Sequence, residues 1–150
     1  MAKKLTKLLT LGVMAIMLFS LTACGAGQEV EFTIGTASSN GSEKSITKII
    51  DSLDRLSDSD VTGIINIDEK YDADFFASNS LVIVAFATRT AGSQIEKITL
   101  TKKRNRLDVD INGHIGLMSM VDQVVVALEV TKENIDGAKT VKFTTNLNKI

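Results

Sequence analysis

Few residues in this chain could carry chemistry. The run Asp108-Val109-Asp110-Ile111-Asn112-Gly113-His114-Ile115 sets oxygen-bearing side chains at its first, third and fifth positions and Gly at its sixth. A calcium loop uses that spacing, because a hard cation needs several oxygens and a sharp turn among them. The twelfth position is Ser119, where such a loop supplies a bidentate Glu, and no helical pattern flanks the run. The same residues also read as a strand ending in an Asn-Gly turn, with Leu107, Val109 and Ile111 inward and the Asp residues outward. We take the strand as the primary reading and leave open whether Asp108, Asp110 and Asn112 bind a cation.

The other polar constellations are weaker. His114 is the only His, and no Gly-x-Ser-x-Gly elbow exists to set a nucleophile beside it. Asp68, Glu69, Asp72 and Asp74 could hold a cation but read more simply as a solvated turn. Lys102, Lys103, Arg104 and Arg106 cluster at a hairpin tip. Such a tip can meet lipid headgroups or an acidic partner, or merely keep a strand end soluble, which is the reading we favour. One Cys and one His are too few for zinc. There is no phosphate-cradling Gly loop and no basic-aromatic stripe for nucleic acid. No catalytic residue, cofactor or metal is assigned, and the chain reads as a non-enzyme.

Cys24 is the exception, the single Cys in 150 residues, so no intramolecular disulfide can form. Lys3, Lys4 and Lys7 head an uncharged apolar stretch from Leu8 to Leu21, followed by Thr22-Ala23-Cys24. A positive head, an apolar body and small residues at a cleavage site mark an export signal rather than a membrane span. Leu21-Thr22-Ala23-Cys24 resembles the lipobox of bacterial lipoproteins. That resemblance implies cleavage before Cys24, thioether lipidation of its sulfur, and a lipid-anchored place on the outer side of the bacterial cell membrane. Two or more acyl chains anchor a protein stably where one does not. The expected organisation is a signal peptide over 1–23, a tether over 24–28 and a single domain over 29–150. The mature chain is then 127 residues, 150 less 23, with 14 basic residues left of 17 against 18 acidic ones. That length buries a modest core. The acidic balance leaves membrane attachment to the lipid.

The elements follow from hydrophobic spacing. Leu81 to Phe86 is a six-residue apolar run, the length of a strand buried on both faces. Asn79-Ser80 supplies a turn signal before it, and Phe75 and Phe76 precede that turn. In an extended segment two adjacent rings face opposite ways, so one enters the core and the other stays partly exposed or covers a neighbour. Val30, Phe32 and Ile34 alternate with polar residues as a half-buried strand. Ile46, Ile49, Ile50, Leu53 and Leu56 follow helical spacing and predict one amphipathic helix near the N-terminus, packed on the sheet. Ile64, Ile65 and Ile67 make a short extended piece. Later strands are led by Ile95, Ile98 and Leu100, with an irregularity near Glu96-Lys97, then by Leu107, Val109 and Ile111, by Val121 to Val130, and by Val141 and Phe143. Short links between strands and a single helix predict a small α+β domain with a largely antiparallel sheet.

A family resemblance rests on Tyr71-Asp72-Ala73-Asp74-Phe75-Phe76 followed by Asn79-Ser80-Leu81-Val82-Ile83-Val84. This is similar to the Y-D-x-x-F-F-x-x-x-x-L-hydrophobic signature of the PrcB-type domain, named for a lipoprotein subunit of a surface protease complex. Gly92-Ser93, the strand Leu107 to Ile111, and the stretch from Met120-Val121-Asp122 to Glu129-Val130-Thr131-Lys132 resemble further parts of that pattern, over roughly residues 29 to 145. Ala91 departs from the Ser that the family has in its loop. The resemblance implies a non-catalytic lipoprotein domain that binds or assists another envelope protein, such as a protease. The alternatives are a metal-assisted hydrolase built on the Asp clusters, or a purely structural envelope lipoprotein.

Overall fold

The computed structural model describes residues 27–149. The expected signal peptide and Cys24 lie outside the described residues.

The architecture is set by the strand Asn79–Thr88 (β6). Its apolar residues serve both faces. Val82, Val84 and Phe86 enter one buried cluster, while Leu81, Ile83 and Ala85 enter another. A continuous apolar run can sit only where both faces are covered, and β6 is an interior strand of its sheet. Its neighbours are Asp122–Thr131 (β9) on one side and Ile46–Ile50 (β4) on the other. The short strand Thr33–Ile34 (β2) completes the sheet beside β9. β6 and β9 pair along their whole length, from Asn79 opposite Thr131 to Thr88 opposite Asp122.

A second sheet faces the first. It runs Gln28–Glu29 (β1), Gln94–Lys103 (β7), Arg106–Ile115 (β8) and Thr140–Lys149 (β10) in spatial order. Leu100, Leu107, Val109 and Ile111 point from it into the space shared with Val82, Val84, Leu128 and Val130. On the far side of the β6 sheet lies a third, irregular layer. It holds the ribbon of Ala37–Ser39 (β3) and Ile65–Ile67 (β5) and three short helices, Leu53–Leu56 (α1), Ser59–Thr62 (α2) and Phe75–Ser78 (α3). Tyr71, Phe76, Val61 and Ile65 from this layer cover Leu81, Ile83 and Ala85.

The sheet-rich fold matches expectation, and all strand pairings but one are antiparallel among the described residues. The exception is β10, which pairs parallel with β8 from Thr140 opposite Arg106 to Lys149 opposite Ile115. Between them the chain crosses to the other sheet as β9 and returns, so β10 arrives with the direction of β8.

Four expectations are corrected. Ile46 to Ile50 is not the start of an amphipathic helix but β4, paired with β6 from Ile46 opposite Ala85 to Ile50 opposite Leu81. A spacing of four fits both a helical turn and two strand repeats, and the β-branched run Ile-Thr-Lys-Ile-Ile tips the balance to strand. Helix begins only at Leu53, where the Ser52 hydroxyl accepts the Arg55 N–H at 3.4 Å. Asn79 and Ser80 are not a turn but the first residues of β6, and Phe75 and Phe76 sit on α3 rather than in an extended segment. Asn112-Gly113 is likewise not a turn, because β8 continues through it to Ile115. Gly113 stands opposite Ile95 at the β7 bulge, where a Cβ would lie 2.0 Å from the Gln94 carbonyl oxygen. Last, the single strand expected around Val30 to Ile34 is split. The chain leaves β1, buries Val30 between the sheets and joins the other sheet as β2, leaving Ile34 exposed.

Candidate functional site

The fold gives the molecule two chemically distinct ends. Residues 89–93, between β6 and β7, and residues 116–121, between β8 and β9, share one end. The Arg104-Asn105 turn and residues 132–139 share the other. Ten-residue strands separate the two by about 30 Å, at roughly 3.3 Å per residue. The described chain enters at the hairpin end, with Gln28 opposite Lys102.

At the far end, four apolar side chains within five residues face solvent. Leu117 is 80% exposed, Met118 61%, Met120 56% and Val121 51%. The loop is nonetheless pinned. The Ala91 N–H donates to the Met118 carbonyl at 2.9 Å, and the Gly116 N–H donates to the Ser93 hydroxyl at 3.4 Å. A Cβ at Gly116 would lie 1.7 Å from the Ala91 carbonyl oxygen, so only Gly lets the two loops meet. A pinned apolar loop keeps its oily surface presented to solvent. This loop was not foreseen from sequence. The signal was there, in apolar residues that fit neither a strand nor a helix period.

At the hairpin end, Arg104 adopts a positive φ of 53° and the expected hairpin tip forms. Asp108 lies inside this basic group rather than in a calcium loop. Its carboxylate accepts from Arg106 Nε at 2.6 Å, Arg106 Nη2 at 3.2 Å and Lys103 Nζ at 2.8 Å. Chiefly the Arg106 hydrogen bond holds the Asp108 carboxyl below the usual carboxylate range; burial opposes this and the Lys103 bond reinforces it. Asn112 accepts from the Asn146 amide at 3.1 Å. The oxygens of the suspected calcium run are thus spread along one strand instead of converging.

The remaining residues singled out from sequence are placed apart. His114 Nε2 meets Glu96 at 3.0 Å across β7 and β8. In the acidic cluster, Asp68 accepts the Lys70 backbone N–H at 3.0 Å and Asp72 accepts that of Phe75 at 2.9 Å. Both carboxylates are therefore engaged in turns. Among the described residues no three His, Cys, Asp or Glu gather as a metal would need.

One buried polar group was missed. The Tyr71 hydroxyl accepts the Thr36 N–H at 2.7 Å and donates to Glu129 at 2.8 Å, and Lys70 Nζ reaches the same Glu129 oxygen at 2.8 Å. Burial, more than any other cause, pushes the Tyr71 hydroxyl up, and a phenol held protonated is a poor base. With Tyr71 itself buried, the arrangement works as a clasp that ties the third layer to β9. Glu129 interrupting an apolar strand was its one sequence signal. A groove of about 510 Å³ also opens where the chain crosses from β1 to β2, lined by Phe32, Ile34, Ile95, Ile98 and Val125. Apart from Glu96 and Lys97 its walls carry no charge, so it offers shape without reactive groups.

Among the described residues no helix is long and apolar enough to cross a membrane. No protein-family model, curated protein or solved structure matches the chain, so these comparisons lend no support to the PrcB-type resemblance.

Proposed function

We propose that this protein is a lipid-anchored, non-catalytic module that binds or assists another protein of the bacterial envelope. Cys24 carries the anchor, and the loop from Leu117 to Val121 is the docking surface. The observation that carries the reading is the exposure of four apolar side chains on a pinned loop at the end away from chain entry. Cys24 lies only three residues before Gly27, a reach of about 10 Å. The anchor therefore sits near the opposite end, and the apolar loop stands clear of the bilayer, where a protein partner can meet it. The resemblance of Tyr71 to Val84 to the PrcB-type signature favours a protease as that partner. Of the Asp residues a hydrolase would use, Asp108 is engaged by Arg106 and Lys103, and Asp68 and Asp72 by backbone N–H groups, which supports a binding role.

The test is a photo-crosslinking amino acid placed at Met118 and, as a control, at Asn66 on the exposed β5 ribbon, in intact cells. A discrete crosslinked protein from position 118 that is absent from position 66 and lost with Leu117→Asp supports the reading. No crosslink from position 118 would favour a purely structural lipoprotein. Lipid-label incorporation that disappears in Cys24→Ala tests the anchor separately.

A further inference from the structure

We infer that the hairpin end of the domain is a docking surface for anionic phospholipid headgroups, which fixes the domain upright on the membrane that holds its anchor. The inference rests on the lipid-anchored reading above. It starts from a segregation of charge that the acidic overall balance conceals. Lys102, Lys103, Arg104, Arg106 and Lys142 gather at the start of β8 and the tip before it, and Lys142 stands opposite Asp108 in register. Against these five cations the same region holds two carboxylates, Asp108 and Glu29, the latter opposite Thr101. The neighbouring 132–139 connection is neutral, with Lys132 and Lys139 against Glu133 and Asp136. The positive excess is therefore local to the β7–β8 tip and Lys142, because Asp51 borders the 132–139 connection and Asp72 and Asp74 precede the helix that packs on Lys132.

Geometry brings that excess to the bilayer. As the chain leaves the domain it lies flat against the basic tip, since a Cβ at Gly27 would meet Thr101 Cγ2 at 2.3 Å and Lys103 Cγ at 2.8 Å. Cys24 is three residues farther on, so its lipid cannot lie more than about 10 Å from this point. That distance is about one Debye length at physiological salt, within which a basic cluster feels an anionic leaflet. Asp108 adds order to the cluster. By gripping Arg106 through two nitrogens and Lys103 through one, it holds two cations side by side and leaves Arg104 and Lys142 free of ion pairs among the described residues. The lipid supplies attachment, and the basic end supplies orientation.

The single Cys makes the test direct. Mature protein beginning at Cys24 is coupled through that thiol to a maleimide lipid in vesicles, which supplies the anchor whether or not cells do. Phenylglyoxal then modifies exposed arginines, and mass spectrometry compares Arg104 with Arg89, an exposed arginine at the opposite end. On phosphatidylglycerol vesicles the ratio of Arg104 to Arg89 modification should fall about threefold relative to phosphatidylcholine vesicles, and about 1 M salt should restore it. Lys102→Glu with Lys142→Glu should remove the difference while sparing the cations that Asp108 holds. Equal ratios on the two lipids would overturn the inference. So would equal protection of Arg104 by inorganic phosphate alone, which would make this a free-anion site. Either failure leaves the lipid-label test of Cys24 untouched.

Discussion

The two apolar layers on either side of the β6 sheet are built by different means. The inner layer lies between long strands paired over nine or ten residues, and its side chains follow from simple alternation. The outer layer is assembled from a three-residue ribbon and four-residue helices, and alternation cannot hold such pieces in place. They are fixed instead by an aromatic group and by buried polar ties. Tyr71 meets Phe75 edge-on at 4.9 Å, and Phe75 meets Phe76 at 5.1 Å. Gln123 accepts from Ser39 at 2.7 Å and donates to the Lys44 carbonyl at 2.9 Å. Where backbone pairing is extensive, apolar burial suffices; where it is sparse, specific polar contacts take over the positioning.

The largest expected effect tests whether the outer layer is a true core. Phe76 is 5% exposed while Phe75 is half-buried, so Phe76→Ala should lower stability by about 3–5 kcal/mol and Phe75→Ala by clearly less. Denaturant midpoints decide this, with Leu107→Ala as the inner-layer standard. Equal and small losses for both Phe variants would reduce the outer layer to a surface covering.

Next in size is the clasp. Tyr71→Phe keeps the ring but leaves the Thr36 N–H and Glu129 short of a partner, at a cost of about 1–3 kcal/mol. The Tyr71 hydroxyl is pushed above its ordinary value, so its contribution is complete below about pH 10 and is lost as pH rises through the folded-state value. Alkaline melting should therefore flatten in Tyr71→Phe.

Asp108 gives the opposite sign. Its folded-state value is depressed, so its contribution is present above about pH 4 and is lost as pH falls through the folded value. Asp108→Asn should remove part of the acid sensitivity and leave the alkaline limb alone, as thermal melts across pH would report. Together the two variants would assign the alkaline limb to the outer layer and part of the acid limb to the outward face of the inner one.

The smallest effect belongs to the apolar loop. Leu117 is 80% exposed, so Leu117→Asp should change stability by no more than about 0.5 kcal/mol. A larger loss would mean that the loop is structural and would sharpen the line between packing and docking.

Legibility in the sequence follows the same division. The six-residue run to Phe86 announced a strand covered on both faces, and the irregularity at Glu96-Lys97 announced the bulge found between Ile95 and Lys97. Ile46 to Leu56 misled because four-residue spacing serves both periodicities, and pairing with β6 decides between them. Asn112-Gly113 misled because Gly there permits close approach of Gln94 rather than a reversal. The Tyr71–Glu129 contact spans 58 residues, beyond any local pattern. Of the candidate site, Cys24 lies outside the described residues, and the apolar loop showed itself only through exposure.

The parallel pairing of β10 with β8 also makes the inner layer depend on a distant part of the chain. β10 sits at the edge of its sheet, paired with residues 34 positions earlier in the chain, and β9 in the other sheet lies between the two in sequence. Without β10, Phe86 would lack the stacked ring of Phe143, 5.4 Å away, and the side of the core that Val141 and Leu147 cover would be open. Non-local pairing of this kind forms slowly, because the intervening loop must close before the contacts reward it. Loss of even part of this strand should therefore leave an oily, protease-sensitive surface over the inner layer.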